Sequence, residues 1–131
     1  MIGYLVWAID MIRGSSTRGL ELQNGMAAVA SGVVLILPAS TFSTSPSYRL
    51  FDAAPESIWG LSLLGAGVAQ IAAALHDTVP LRRIAATVLG VLFTALGLGI
   101  LWANPLSAVA PIMLALAAGQ VGAFWQARWV R

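Results

Sequence analysis

The sequence predicts an all-α polytopic membrane protein, four transmembrane helices in one bundle with an interfacial helix at the amino end. Three observations carry this. The chain is 59% hydrophobic and only 9% charged over 131 residues, against the roughly 25% charge a soluble domain uses to wet its surface. Its charges fall between long apolar runs rather than within them. Those runs are each about 20 residues, which as helix matches a hydrocarbon core of ~30 Å. None shows strand-like alternation, and only helices or closed barrels satisfy their backbone in lipid, so the run lengths select helices. A mean hydropathy of +0.85 agrees.

Residues 1–13 are apolar but too short to cross. Ile2, Leu5, Val6, Ile9 and Ile12 share one helical face while Asp10 and Arg13 fall off it, which reads as an amphipathic helix lying in the inner interface. No basic residue precedes this run, unlike a secretory signal. The first span is expected over 20–38, stopped by Pro38 and the Ser/Thr-rich stretch after it. A loop follows over 39–56. The second span, 57–75, is introduced by Ala54-Pro55-Glu56, an acid where the helix dipole favours it. The third covers 81–103. The fourth, 105–126, has Asn104 as an amide cap and Pro105 at the first helical position, with a kink expected at Pro111.

Arginine placement sets the orientation. There is no lysine; Arg13 and Arg18 precede the first span, Arg82 and Arg83 separate the second from the third, and Arg128 and Arg131 follow the fourth. An even number of spans puts these six of the seven arginines on one face. The other face keeps Arg49 beside Asp52 and Glu56. The positive-inside rule places both termini in the cytoplasm and the 39–56 loop outside. Tyr48, Phe51, Trp59 and Trp102 then fall at the outer interface, Trp125 and Trp129 at the inner one, where amphipathic rings prefer to lie.

The composition narrows the chemistry. The pI of about 9.9 comes from arginines dispersed over several loops, which form no nucleic-acid patch. Without cysteine there is no disulfide, thiolate nucleophile or Cys-based metal site. The single histidine, His76, stands beside Asp77 at the inner end of the second span and reads as a solvated loop residue. No catalytic, metal-ligating or cofactor-binding set is expected. The membrane interior carries no acid or base at mid-depth, which counts against a proton- or ion-coupled carrier. Glu21, close to Arg18 and Asn24, is read as an interfacial residue capping the first span, with a gating or ligand role as the alternative.

Gln70 and Gln120 are the polar residues of most interest inside the spans. Both lie two thirds of the way along helices running inward, so they share a depth. They either hydrogen-bond across a helix interface or line a path. Their surroundings correspond as well: Leu64, Ala69, Ile71 and Ala73 align with Leu114, Gly119, Val121 and Ala123, and Ala27-Ala28 with Gly32-Val33 echoes Ala85-Ala86 with Gly90-Val91. A duplicated helical hairpin would produce this. Small residues at four-residue spacing (Ala28/Gly32, Gly65/Ala69/Ala73, Ala95/Gly99, Ala115/Gly119/Ala123) allow helices to approach closely, within or between subunits. In the outer loop, Tyr48, Arg49, Phe51 and Asp52 mix aromatic, apolar and charged groups, either as a partner-binding surface or as a segment on the interface.

The sequence Ser45-Pro46-Ser47-Tyr48, then Ala54-Pro55-Glu56, Trp59-Gly60, Gly67 and Gln70, followed by Arg82-Arg83 and Asn104-Pro105-Leu106-Ser107, resembles small four-span membrane proteins of tailed bacteriophages. The resemblance covers roughly residues 45–125. It implies a phage gene and a bacterial inner membrane, and supplies no catalytic residues. The expected function is a holin-like protein that self-associates as a homo-oligomer and permeabilises or remodels the bilayer. Four spans and the absence of a highly charged tail depart from most holins. The alternative is a non-catalytic virion component or host-entry modifier that binds a host or phage protein through residues 40–56. A small transporter stands third.

Overall fold

The computed structural model describes residues 18–37, 51, 54–76 and 78–126. The interfacial helix expected over 1–13, and Tyr48, Arg49 and Asp52 of the outer loop, lie outside the described residues. Those described form four helices and no strand: α1 (Arg18–Ile36), α2 (Glu56–His76), α3 (Val79–Ala103) and α4 (Val109–Gln126). The first three are long and apolar enough to cross a membrane; α4 is shorter, apolar over Val109–Trp125.

The helix limits fall within two residues of the sequence reading except at the start of α4, and the differences at α3 and α4 have local reasons. Helix α3 begins at Val79 rather than 81, because Pro80 fits the first turn, where its missing N–H has no intrahelical partner to lose. Asn104 does not start the fourth helix. It ends the third, its backbone N–H donating to the Ile100 carbonyl at 2.8 Å, while its Oδ1 accepts from Leu106 N at 3.3 Å in a local turn. The fourth helix starts at Val109, whose N–H donates to Ser107 Oγ at 3.3 Å. Pro111 therefore falls in the first turn, where no ladder bond exists to be broken, and the expectation of a kink there is withdrawn.

The helices pack as two hairpins, α1 on α2 and α3 on α4, joined by α2–α3 contacts and closed by a lighter α1–α4 contact. Walking round the bundle thus follows chain order. The α1–α2 seam is a glycine contact. A Cβ on Gly32 would lie 2.7 Å from the Gly60 carbonyl oxygen, and one on Gly67 would lie 2.7 Å from the Gly25 carbonyl oxygen. Gly25 and Gly32 are seven residues apart, as are Gly60 and Gly67, so two antiparallel heptads bring backbone onto backbone. The four-residue stripe Gly65/Ala69/Ala73 does not make this seam: Gly65 and Ala69 are exposed, and only Ala73 is buried. Where the two hairpins correspond, they bury the same places, Gly60 with Ala110, Gly67 with Ala117, Gln70 with Gln120 and Ala73 with Ala123.

An apolar core of Leu63, Leu89, Phe93, Leu96, Ile100 and Ala110 fills one end. Phe51 belongs to this core. Its ring meets Trp59 edge-on at 5.0 Å and covers Gly99, where a Cβ would collide with it. The remaining polarity is inverted relative to a water-soluble globule. Val34, Leu61, Ile84, Val91, Leu98 and Ile112 face outward, while Glu21, Asn24, Gln70, Arg82 and Gln120 are buried. Large apolar side chains outside and polar ones inside are what a lipid solvent selects.

Candidate functional site

The five buried polar side chains gather at the arginine-bearing end of the bundle. Counting from the helix ends at 1.5 Å per residue, Glu21 and Arg82 lie about 4.5 Å in, and Asn24, Gln70 and Gln120 about 9 Å in. They form two layers roughly one turn apart.

In the outer layer α1 is tied to α3. Arg82 Nε donates to Glu21 Oε2 at 2.8 Å and Nη2 donates to Glu21 Oε1 at 3.0 Å. The fork is bidentate and dry, with side chains 3% and 1% exposed. Guanidinium geometry matches a carboxylate in this way, and both charges leave water together only because each completes the other's hydrogen bonds. Glu21, read from the sequence as an interfacial cap, is buried and paired with Arg82, a residue 61 positions away on α3. Sequence reasoning assigned Arg82 only to orientation. Depth could have exposed the pair, since Glu21 and Arg82 each lie three residues inside their helix starts on the same face.

In the inner layer α2 is tied to α4. Gln70 Nε2 donates to Gln120 Oε1 at 2.9 Å, and Gln120 Nε2 returns a bond to Gln70 Oε1 at 2.8 Å. The structure thus brings the two glutamines face to face. Both polar pairs span diagonals of the bundle, joining helices that otherwise scarcely touch. Asn24 is buried in the same layer, its Nδ2 without a hydrogen-bond partner among the described residues and 3.1 Å from where a Gly119 Cβ would stand. An alanine at 119 would press on that amide.

The glutamine pair yields a modest expectation. Gln70→Leu and Gln120→Leu should each cost about 1 kcal/mol, and the double variant little more than either, because polar contacts within membranes couple by about 0.6 kcal/mol and at most ~1.7. A double-mutant cycle on detergent-solubilised chain measures it; additive losses would mean the reciprocal bonds contribute nothing.

Chemically, the site is a lock. Among the described residues no three His, Asp or Glu side chains converge on a point. Glu21 has both oxygens on Arg82, and each glutamine amide is engaged. His76 is exposed, and its neighbour Asp77 is outside the described residues. Of the loop residues offered as a partner surface, Phe51 is turned inward and is unavailable to a partner. No protein-family profile matches the chain, and neither does any curated protein or solved structure.

Proposed function

We propose that this is a small inner-membrane protein of the tailed-phage type, with four spans and both termini cytoplasmic, that self-associates and permeabilises or remodels the bilayer as holins do. One observation carries the reading. Helix α2 leaves a strip of small side chains uncovered: Ser62, Gly65 and Ala69 are exposed, and a Cβ on Gly65 would meet nothing within 4 Å. The glycines at 25, 32, 60 and 67 are already spent inside the chain, so this strip does nothing for the isolated bundle. Facing lipid among Ile58, Leu61 and Val68, it offers a second copy the close backbone approach that membrane helices use to associate. At about 27 Å, α4 is long enough to serve as the fourth span with slight thinning of the bilayer.

The locked interior bears on the other readings. An ion-coupled carrier needs an acid that changes partner during transport, and the one buried acid among the described residues is held by two bonds. An interaction protein working through residues 40–56 does so without Phe51.

The test is inducible expression in bacteria with a potential-sensitive dye, followed by solubilisation and subunit counting. Wild type should collapse the membrane potential and run as a multimer. Gly65→Ile should leave a folded monomer and an intact potential. Potential maintained during wild-type accumulation, or multimers unaffected by Gly65→Ile, would defeat the reading.

A further inference from the structure

Between α3 and α4 a groove of about 600 Å³ opens on the side of the bundle, lined by Ala86, Thr87, Gly90, Thr94, Ala117 and Phe124 among others. Its walls are apolar in practice even where the residues are not. Thr87 Oγ1 donates to the Arg83 carbonyl at 2.9 Å, Thr94 Oγ1 donates to the Gly90 carbonyl at 2.7 Å, and the Gln120 amide is engaged by Gln70. Methyl and methylene groups and the rings of Phe124 and Trp125 are what remain to meet an occupant.

The arginine-bearing end of the groove is different. Arg83 lies one turn before Thr87 on the same stripe of α3, and its guanidinium carbon stands 5.5 Å over the ring of Phe124. Its Nε is buried without a hydrogen-bond partner among the described residues. The two adjacent arginines thus differ in their surroundings: Arg82 is paired inside with Glu21, while Arg83 has no ion pair among the described residues and stands at the mouth of an apolar groove. From Ala86 to Ala95 the groove follows α3 for about 13.5 Å, close to the depth of one leaflet of a ~30 Å core, and Arg83 stands just beyond its end against Phe124.

We propose that this groove binds one anionic phospholipid of the arginine-side leaflet, its phosphate on Arg83 and one acyl chain along Thr87, Gly90 and Thr94. A cation with no carboxylate partner among the described residues, at the end of an apolar groove of about leaflet length, fits a ligand that is charged at one end only. Basic sites between membrane helices take anionic headgroups by the same attraction. The inference rests on the membrane-spanning reading given above.

The experiment uses the full chain in two stages. First, the chain is floated with vesicles of dioleoylphosphatidylcholine alone. Failure to float would remove the membrane reading and this site with it. Second, the detergent-extracted chain is offered equal dioleoylphosphatidylglycerol and dioleoylphosphatidylcholine, and retained lipid is read by native mass spectrometry. Both lipids bring a phosphate, so the preference comes from the choline cation, which opposes Arg83; wild type should retain the glycerol lipid several-fold, on the order of tenfold, over the choline lipid. Arg83→Gln should bring that ratio to about one, and Arg83→Lys should keep most of it. Ala95→Phe, which narrows the groove from an exposed position, should lower retention of the glycerol lipid with the charge untouched. A chain that floats yet retains both lipids equally would overturn this site and leave the membrane reading standing. An unchanged ratio in Arg83→Gln, or displacement of the lipid by soluble glycerol phosphate as readily as by added lipid, would overturn it too.

Discussion

Glu21→Ala should destabilise the bundle by about 3–5 kcal/mol, because it strands the Arg82 guanidinium in a dry interior. The size follows from what is left behind rather than from what is removed. An ion pair taken out of water gains little net energy from its own attraction, and a single charge without its counter-charge loses nearly all its solvation. Arg82→Met should do comparable damage by leaving the carboxylate. The informative variant is the double one. Glu21→Met with Arg82→Met removes both charges and should recover most of the loss, since apolar residues of similar volume often replace a buried pair at no cost. Exchanging the two residues should recover part. Reversible unfolding in mixed micelles titrated with dodecyl sulfate reads all four chains. A single Glu21→Ala chain as stable as wild type would show that water reaches this end and that the pair is idle.

Gly67→Ala comes next in expected effect, and it acts through geometry instead of charge. The added carbon would stand 2.7 Å from the Gly25 carbonyl oxygen and 2.9 Å from Val29 N, both backbone atoms on the facing helix. Neither can swing aside. The helices must separate along the seam, and every contact between Gly25 and Gly32 on one side and Gly60 and Gly67 on the other loosens with them. Overpacking costs ~1–3 kcal/mol where neighbours can adjust, and a rigid neighbour belongs at the top of that range. Gly67→Leu should prevent the hairpin from closing. Gly65→Ala is the control two residues away: its Cβ enters open space, so stability should change by no more than ~0.5 kcal/mol. The same unfolding titration compares them. Equal losses at 65 and 67 would mean the backbone contact is absent in the membrane.

The contrast between 65 and 67 shows where the sequence is legible and where it stops. Helix existence and approximate limits follow from hydropathy and length, because lipid offers the backbone no alternative. Depth along a span is also readable, and it is what singled out Gln70 and Gln120. Azimuth is not. Spans that are apolar on every side carry no polar face to mark the inside, so the four-residue template chose Gly65 and Ala69 when the seam uses a seven-residue spacing through Gly60 and Gly67. Arg82 escaped notice because orientation rules count arginines as solvated, and its carboxylate lies on a helix that is not its neighbour in the chain. Phe51 escaped because a single apolar residue in a polar loop has no periodicity to place it. Asn104 and Pro105 form a stop followed by a turn, and a local cap signal does not distinguish the end of one helix from the start of the next.

The fork between Glu21 and Arg82 also orders events during synthesis. A chain emerging from the ribosome inserts its first hairpin, glycine seam included, before the third helix exists. Until that helix arrives, the first one lacks the guanidinium that holds Glu21 in the finished bundle. Completion of the third helix is therefore the step that supplies the fork.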